Sequence, residues 1–191
     1  MNRIWDDLRA ANADRQRKWD PDSRIDMTWR LNELAGETGE VCNLFKKWDR
    51  EKIGLPGSRT TPEAILEELS DIVICVDLTL MQAGLNPDTE FLWNPFGRNP
   101  AAPLAELGIW ITAHIGRACE LHTENDYGEE FVGTLLEALR FVGAASAAFP
   151  QISFPIAVSR KFNKTSHTVG LPVFLDVGGV IRSIGKDPIH V

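Results

Sequence analysis

The segment PEAILEELSDIVICVDLTLMQAG, residues 62 to 84, constrains the fold more than any other part of the chain. Ile65, Leu66, Leu69, Ile72, Val73, Ile74, Cys75, Val76 and Leu78 leave it apolar on nearly every side beyond Asp71. A helix of that kind is stable only when other elements surround it. Thr61 is a natural N-cap, Pro62 suits the first helical position, and Gly84 suits the C-terminal cap. The same helix carries Glu68 and Asp71, three residues apart and so on one face. A buried ionised carboxylate costs on the order of several kcal/mol unless a cation or hydrogen bonds answer it.

A second helix is expected over residues 26 to 48, and within LNELAGETGEVCNLFKKW it places Glu33, Glu37 and Glu40 at spacings of four and three. Like charges at those spacings repel along one helical face. A lone ExxE is usually a solvated face. An ExxE followed by an ExxD in an apolar helix is harder to explain that way. If the pairs Glu37/Glu40 and Glu68/Asp71 face each other from antiparallel helices, their oxygens converge. Such a site suits a hard cation, Mg²⁺ or in its place Mn²⁺. Gly36 and Gly39 flank the acids, and helical glycine costs about 0.5–1 kcal/mol; close approach of another backbone or a bulky substrate would justify them. The 26–48 helix offers no Arg or Lys partner on its acid face, and Glu67 reads as solvent-facing. A di-iron bundle would need Glu-x-x-His, and none of His114, His122, His167 and His190 follows a glutamate by three.

The remaining pattern is helical too. Helices are expected over residues 2–18, 104–123, 129–149 and 156–170, with a proline-rich connector at 85–103 and a strand-like tail around Gly178 and Gly179. The long helices repeat weakly: Glu68 corresponds to Glu137 and Asp71 to Arg140, while Glu33, Glu37 and Glu40 correspond to Glu106, Trp110 and Ala113. The expected fold is therefore all-α, a four-helix bundle of two α-hairpins, the second one degenerate, plus a short C-terminal hairpin or extended tail. It forms a single domain over 1–191, divided into a motif-bearing hairpin (22–85), a degenerate hairpin (102–150), and a basic helix and tail (151–191).

Composition narrows the partners. With 191 residues and a net charge of -7, the chain lacks the basic patch of a nucleic-acid binder, so a polyanion would need a metal or a local cationic cluster. Cys42, Cys75 and Cys119 are widely spaced, form no CxxC, and read as buried free thiols in a reducing, cytoplasmic setting. The N-terminal stretch has no secretory apolar core, and no apolar run approaches a membrane span.

"ETGE" (37–40), a spacer of 27 residues, and "ELSD" (68–71) together resemble the MazG-like superfamily of all-α nucleoside triphosphate pyrophosphohydrolases. The resemblance covers residues 27 to 84, with LNELAGETGEVCNLFKK leading in, and more loosely 157 to 172, with RKFNKTSHTVGLP; residues 86 to 150 lie outside the basic motif. A degenerate second hairpin is similar to what dimeric dUTPases of the same superfamily have. The resemblance implies cleavage of an NTP or dNTP to the monophosphate and pyrophosphate, clearing non-standard nucleotides. Glu37, Glu40, Glu68 and Asp71 would be the catalytic Mg²⁺ ligands, with Glu33 orienting a ligand or acting as base. Arg160, Lys161, Asn163 and Lys164 in SRKFNKTS would hold the triphosphate, with Lys46 and Lys47 weaker candidates. Trp29, Trp48 and Trp110 are candidates for stacking the base. A homodimer or higher homo-oligomer is expected. The alternatives are a phosphoribosyl-ATP pyrophosphohydrolase-like enzyme, against which the extra helical pair and long tail argue, and a non-catalytic helical binding module.

Overall fold

A computed structural model describes residues 3–86, 102–176 and 181–183. The described residues form six helices and one small sheet: α1 Arg3–Trp19, α2 Met27–Lys52, α3 Pro62–Gln82, α4 Leu104–Thr123, α5 Glu129–Ser146, α6 Phe154–Thr168, and strands β1 Val173–Leu175 and β2 Ile181–Ser183. Apart from that sheet, the regular structure of the described residues is all α-helix. Among the described residues no helix is long and apolar enough to cross a membrane. Most of the connector expected at 85–103 lies outside the described residues.

Local chemistry sets the helix ends. The Asp26 carboxylate accepts the Trp29 N–H at 2.8 Å and starts α2. The Thr61 hydroxyl accepts the Ala64 N–H at 3.2 Å, with Pro62 at the first turn of α3. Gly84, at φ +70, closes α3 as its neighbour Leu85 donates back to the Leu80 carbonyl at 2.9 Å. Helix α2 runs one turn beyond the expected Trp48, because the turn formers Gly54 and Gly57 come only after Lys52. Helix α5 stops at Ser146 rather than at Phe149; the Phe149 N–H bonds the Ser146 carbonyl at 3.1 Å in a turn.

Helix α3 is the axis of the molecule, packing against α1, α2, α5 and α6. Helices α2 and α4 pack together, as do α4 and α5, so α2 to α5 close a ring of four. Leu34, Val41 and Phe45 of α2 meet Leu69, Ile72 and Val76 of α3, Ile111 and Ile115 of α4, and Leu135 and Leu139 of α5 in one core. Where α3 has acids, α5 has Glu137 ion-paired to Arg140. β1 and β2 pair antiparallel, Phe174 opposite Arg182, and β1 packs on α6 and α1; the Gly178–Gly179 turn expected between them lies outside the described residues.

Two expectations about the core need correction. Helix α3 is not free of charge beyond Asp71: Asp77 is fully buried. From α1, the Arg9 Nε reaches its Oδ1 at 2.5 Å and the Asn12 amide its Oδ2 at 2.8 Å, while Arg9 also donates to the Leu85 carbonyl at 2.9 Å. Burial pushes Asp77 above the ordinary carboxylate range, against the pull of those partners. Of the three free cysteines only Cys75 is buried; Cys42 and Cys119 are half-buried. The Cys42 thiol sits against the Gly108 carbonyl at 3.6 Å and the Thr112 hydroxyl at 3.3 Å.

Candidate functional site

The apolar stripes of α2 (Leu34, Val41, Phe45) and α3 (Leu69, Ile72, Val76) turn into one core, and that orientation decides which acids meet. Glu37 and Glu40 turn toward Glu68, and one oxygen from each of the three lies within 4.8 Å of the others. Asp71, one turn further along α3, is held apart from this group: its Oδ2 is 2.6 Å from the Lys161 Nζ of α6. Asp71 still acts on the same space, since its charge is among the causes that raise Glu37.

The electrostatics follow from acids outnumbering cations. Burial, then the charges of Asp71, Glu40 and Glu68, push Glu37 up from 4.5 to about 7. Burial also raises Glu68 and Asp71, and the pull of Lys161 on both does not cancel it. Burial works to lower the Lys161 ammonium, but the hydrogen bond and charge of Asp71, with Glu68 and Glu67, leave it above its ordinary value. Glu67 goes the other way, lowered by its hydrogen bond from Lys164.

Glu67 therefore does not simply face solvent. It is ion-paired to Lys164 and lies 3.5 Å from the Lys161 Nζ, so it ties α3 to α6. The cation partner that α2 lacks for Asp71, Lys161, comes from α6, far along the chain. Glu33 has its own partner on α2, Arg30, at 2.9 Å. Arg30 is itself buried and also donates to Gln16 of α1. This corrects the expectation that the 26–48 helix offers its acids no Arg or Lys: Arg30 lies three residues before Glu33, a spacing legible in the sequence, whereas Gln16 reaches Arg30 only through the packing of α1.

The other candidates separate. Asn163 does not join the acids: its amide donates to the Leu175 carbonyl at 2.9 Å and accepts the Leu175 N–H at 2.7 Å, gripping β1 on both sides. Arg160 is exposed and lies in a recess with Lys161 and Lys164. Trp48 packs edge-on against Phe149 at 5.2 Å, and Trp110 stacks on Phe141 at 5.7 Å. Trp29 is 53% exposed at the start of α2, two turns before Glu37, so its indole is open to a ligand but not part of the acidic group. Gly36 and Gly39 approach nothing: a Cβ on either would find open space. Close helix packing within the described chain is therefore not their reason, and the α2 surface beside Glu40 stands open.

No family model, curated protein or solved structure matches this chain. The functional reading accordingly stands on the chemistry of the site. Carboxylate oxygens alone make up the donor set, and they are short of positive charge even with Lys161 among them. That is the composition a hard divalent cation requires. Next to it, α6 presents three cations in five residues, Arg160, Lys161 and Lys164, the composition a phosphate chain requires.

Proposed function

We propose that this chain is a Mg²⁺-dependent nucleotide pyrophosphohydrolase with a MazG-like fold, converting an NTP or dNTP to the monophosphate and pyrophosphate and so clearing non-standard nucleotides. The observation that carries the reading is the meeting of Glu37, Glu40 and Glu68 from two helices within 4.8 Å. The ring of α2 to α5, with acids on one hairpin and the Glu137–Arg140 pair on the other, supports a doubled, half-degenerate α-hairpin architecture.

Glu37, Glu40 and Glu68 would hold the ion, with Asp71 joining them on release from Lys161. A divalent ion held there supplies neutralisation of phosphate charge and a water of lowered pKa. The chain's own residues do the rest. Lys161, Lys164 and Arg160 hold the phosphates and fix their distance from the acids, so that positioning carries a large share of the rate. Arg30 orients Glu33, one turn before Glu37, where it would position a ligand or act as base. Assembly into a homodimer belongs to the same proposal; Ile109 and Trp110 on α4 and the open glycine face of α2 are the exposed surfaces available for it.

A second reading has one observation in its favour: Asp71, Glu67, Lys161 and Lys164 already form an ion-pair chain between α3 and α6, as they would in a non-catalytic helical module. A panel of NTPs and dNTPs, assayed for pyrophosphate with and without Mg²⁺, separates the two. The proposal expects Mg²⁺-dependent pyrophosphate from at least one nucleotide and none from Glu68→Gln. Orthophosphate as the product, or no turnover on any nucleotide, would overturn it.

A further inference from the structure

A recess of about 210 Å³ lies between α3 and α6, with Lys161 and Glu67 in its lining. Its inner wall is apolar: Leu66, which is fully buried, with Ile152 and Ala157. Its rim is charged, with Arg160, Lys161 and Lys164 on the α6 side and Glu63 and Glu67 on the α3 side. Lys161 and Glu67 are committed to ion pairs, whereas no ion pair engages Arg160 or Glu63 among the described residues.

We propose that this recess binds the nucleoside end of the substrate, its base against Leu66, Ile152 and Ala157 and its phosphates led over Lys161 to the acids. The inference rests on the pyrophosphohydrolase reading and deepens it by assigning the base a place. Three features select a base over a phosphate tail. An apolar wall rewards a flat ring and gives nothing to a phosphate. Glu63, which no ion pair engages among the described residues, can accept hydrogen bonds from the N–H groups on the edge of a base. Lys161 is shared, since it lines the recess and also touches Asp71 at 2.6 Å, whose charge acts on Glu37. A ligand that is ring-like at one end and polyanionic at the other matches that order. The exposed tryptophans then become surface residues rather than the base platform.

Isothermal titration of the full chain in Mg²⁺ tests the assignment, with a non-hydrolysable α,β-methylene deoxynucleoside triphosphate and inorganic triphosphate as the two probes. Ala157→Trp fills the recess, and Ile152→Asp, on the loop before α6, places a charge against its wall. Both variants should weaken the nucleotide analogue by about tenfold or more, as blocked apolar pockets do, and leave inorganic triphosphate unchanged. Unchanged nucleotide affinity in a folded Ile152→Asp would overturn the inference, whether or not Ala157→Trp folds. An equal loss for both probes would also overturn it, because the apolar wall would then not be what distinguishes the nucleoside end from the phosphates. Pyrophosphate release by the wild type keeps the two claims apart: turnover with unaffected variants removes the recess alone, and a wild type that neither binds nor cleaves removes both.

Discussion

Replacing Glu37 with glutamine gives opposite effects on stability and on ion binding, and the structure fixes both signs. The Glu37 carboxyl titrates near 7 when folded against 4.5 as an ordinary glutamate, so the folded chain holds this proton more tightly than the unfolded one. The resulting penalty is absent below pH 4.5, grows as pH rises to about 7, and is constant above that. Its ceiling is ~3 kcal/mol at about 1.4 kcal/mol per tenfold; solvent screening at a half-buried carboxyl reduces it to on the order of 1–2 kcal/mol. Glutamine keeps the shape and never ionises. In chelator, Glu37→Gln should therefore be about 1–2 kcal/mol more stable than wild type at pH 8 and equal to it at pH 4.5. Urea unfolding at the two pH values measures this. Saturating Mg²⁺ should then reverse the order at pH 8 by stabilising the wild type and not the variant. A variant no more stable than wild type at pH 8 in chelator would refute the claim that like charge and burial crowd Glu37.

Arg9→Met strands the buried Asp77 without its ion-pair partner and should cost about 3–5 kcal/mol in urea unfolding; a loss below ~1 kcal/mol, no more than a surface pair is worth, would mean Asp77 is not ionised there. Gly39→Ala fills open space on a helix and should stabilise the chelated protein by about 0.5–1 kcal/mol, read as a rise in Tm. Asn163→Ala removes two hydrogen bonds to Leu175, each worth about 0.5–1.5 kcal/mol, and should speed amide exchange across β1 without changing exchange in α2.

Helix existence and the ends marked by a capping residue were readable because they depend on neighbours in sequence; the C-terminal ends of α2 and α5, with no such mark, each lie about a turn from the expected place. Asp26, Thr61–Pro62 and Gly84 mark their positions by side-chain or backbone chemistry acting within a few residues. The expected convergence of four acids was readable for three of them, Glu37, Glu40 and Glu68, because spacing fixes the face of each helix and a short loop makes α2 and α3 neighbours; Asp71, expected with them, pairs with Lys161 instead. What could not be read depends on partners far apart in the chain. Lys161 finds Asp71 only because α6 packs on α3, and Arg9 finds Asp77 only because α1 does. Asn163 has the residue type and spacing of a phosphate ligand, yet β1 returns beside α6 and takes both ends of its amide. Gly36 and Gly39 suggested tight packing, but which side of α2 lies open is a property of the assembled ring.

Mn²⁺ binding followed by electron paramagnetic resonance at pH 8, comparing wild type with Glu68→Gln, bears most directly on whether these carboxylates form a divalent-ion site. Saturable binding by the wild type, weakened by about tenfold or more in the variant, is the predicted result. Identical titrations for the two proteins, or none in either, would contradict it.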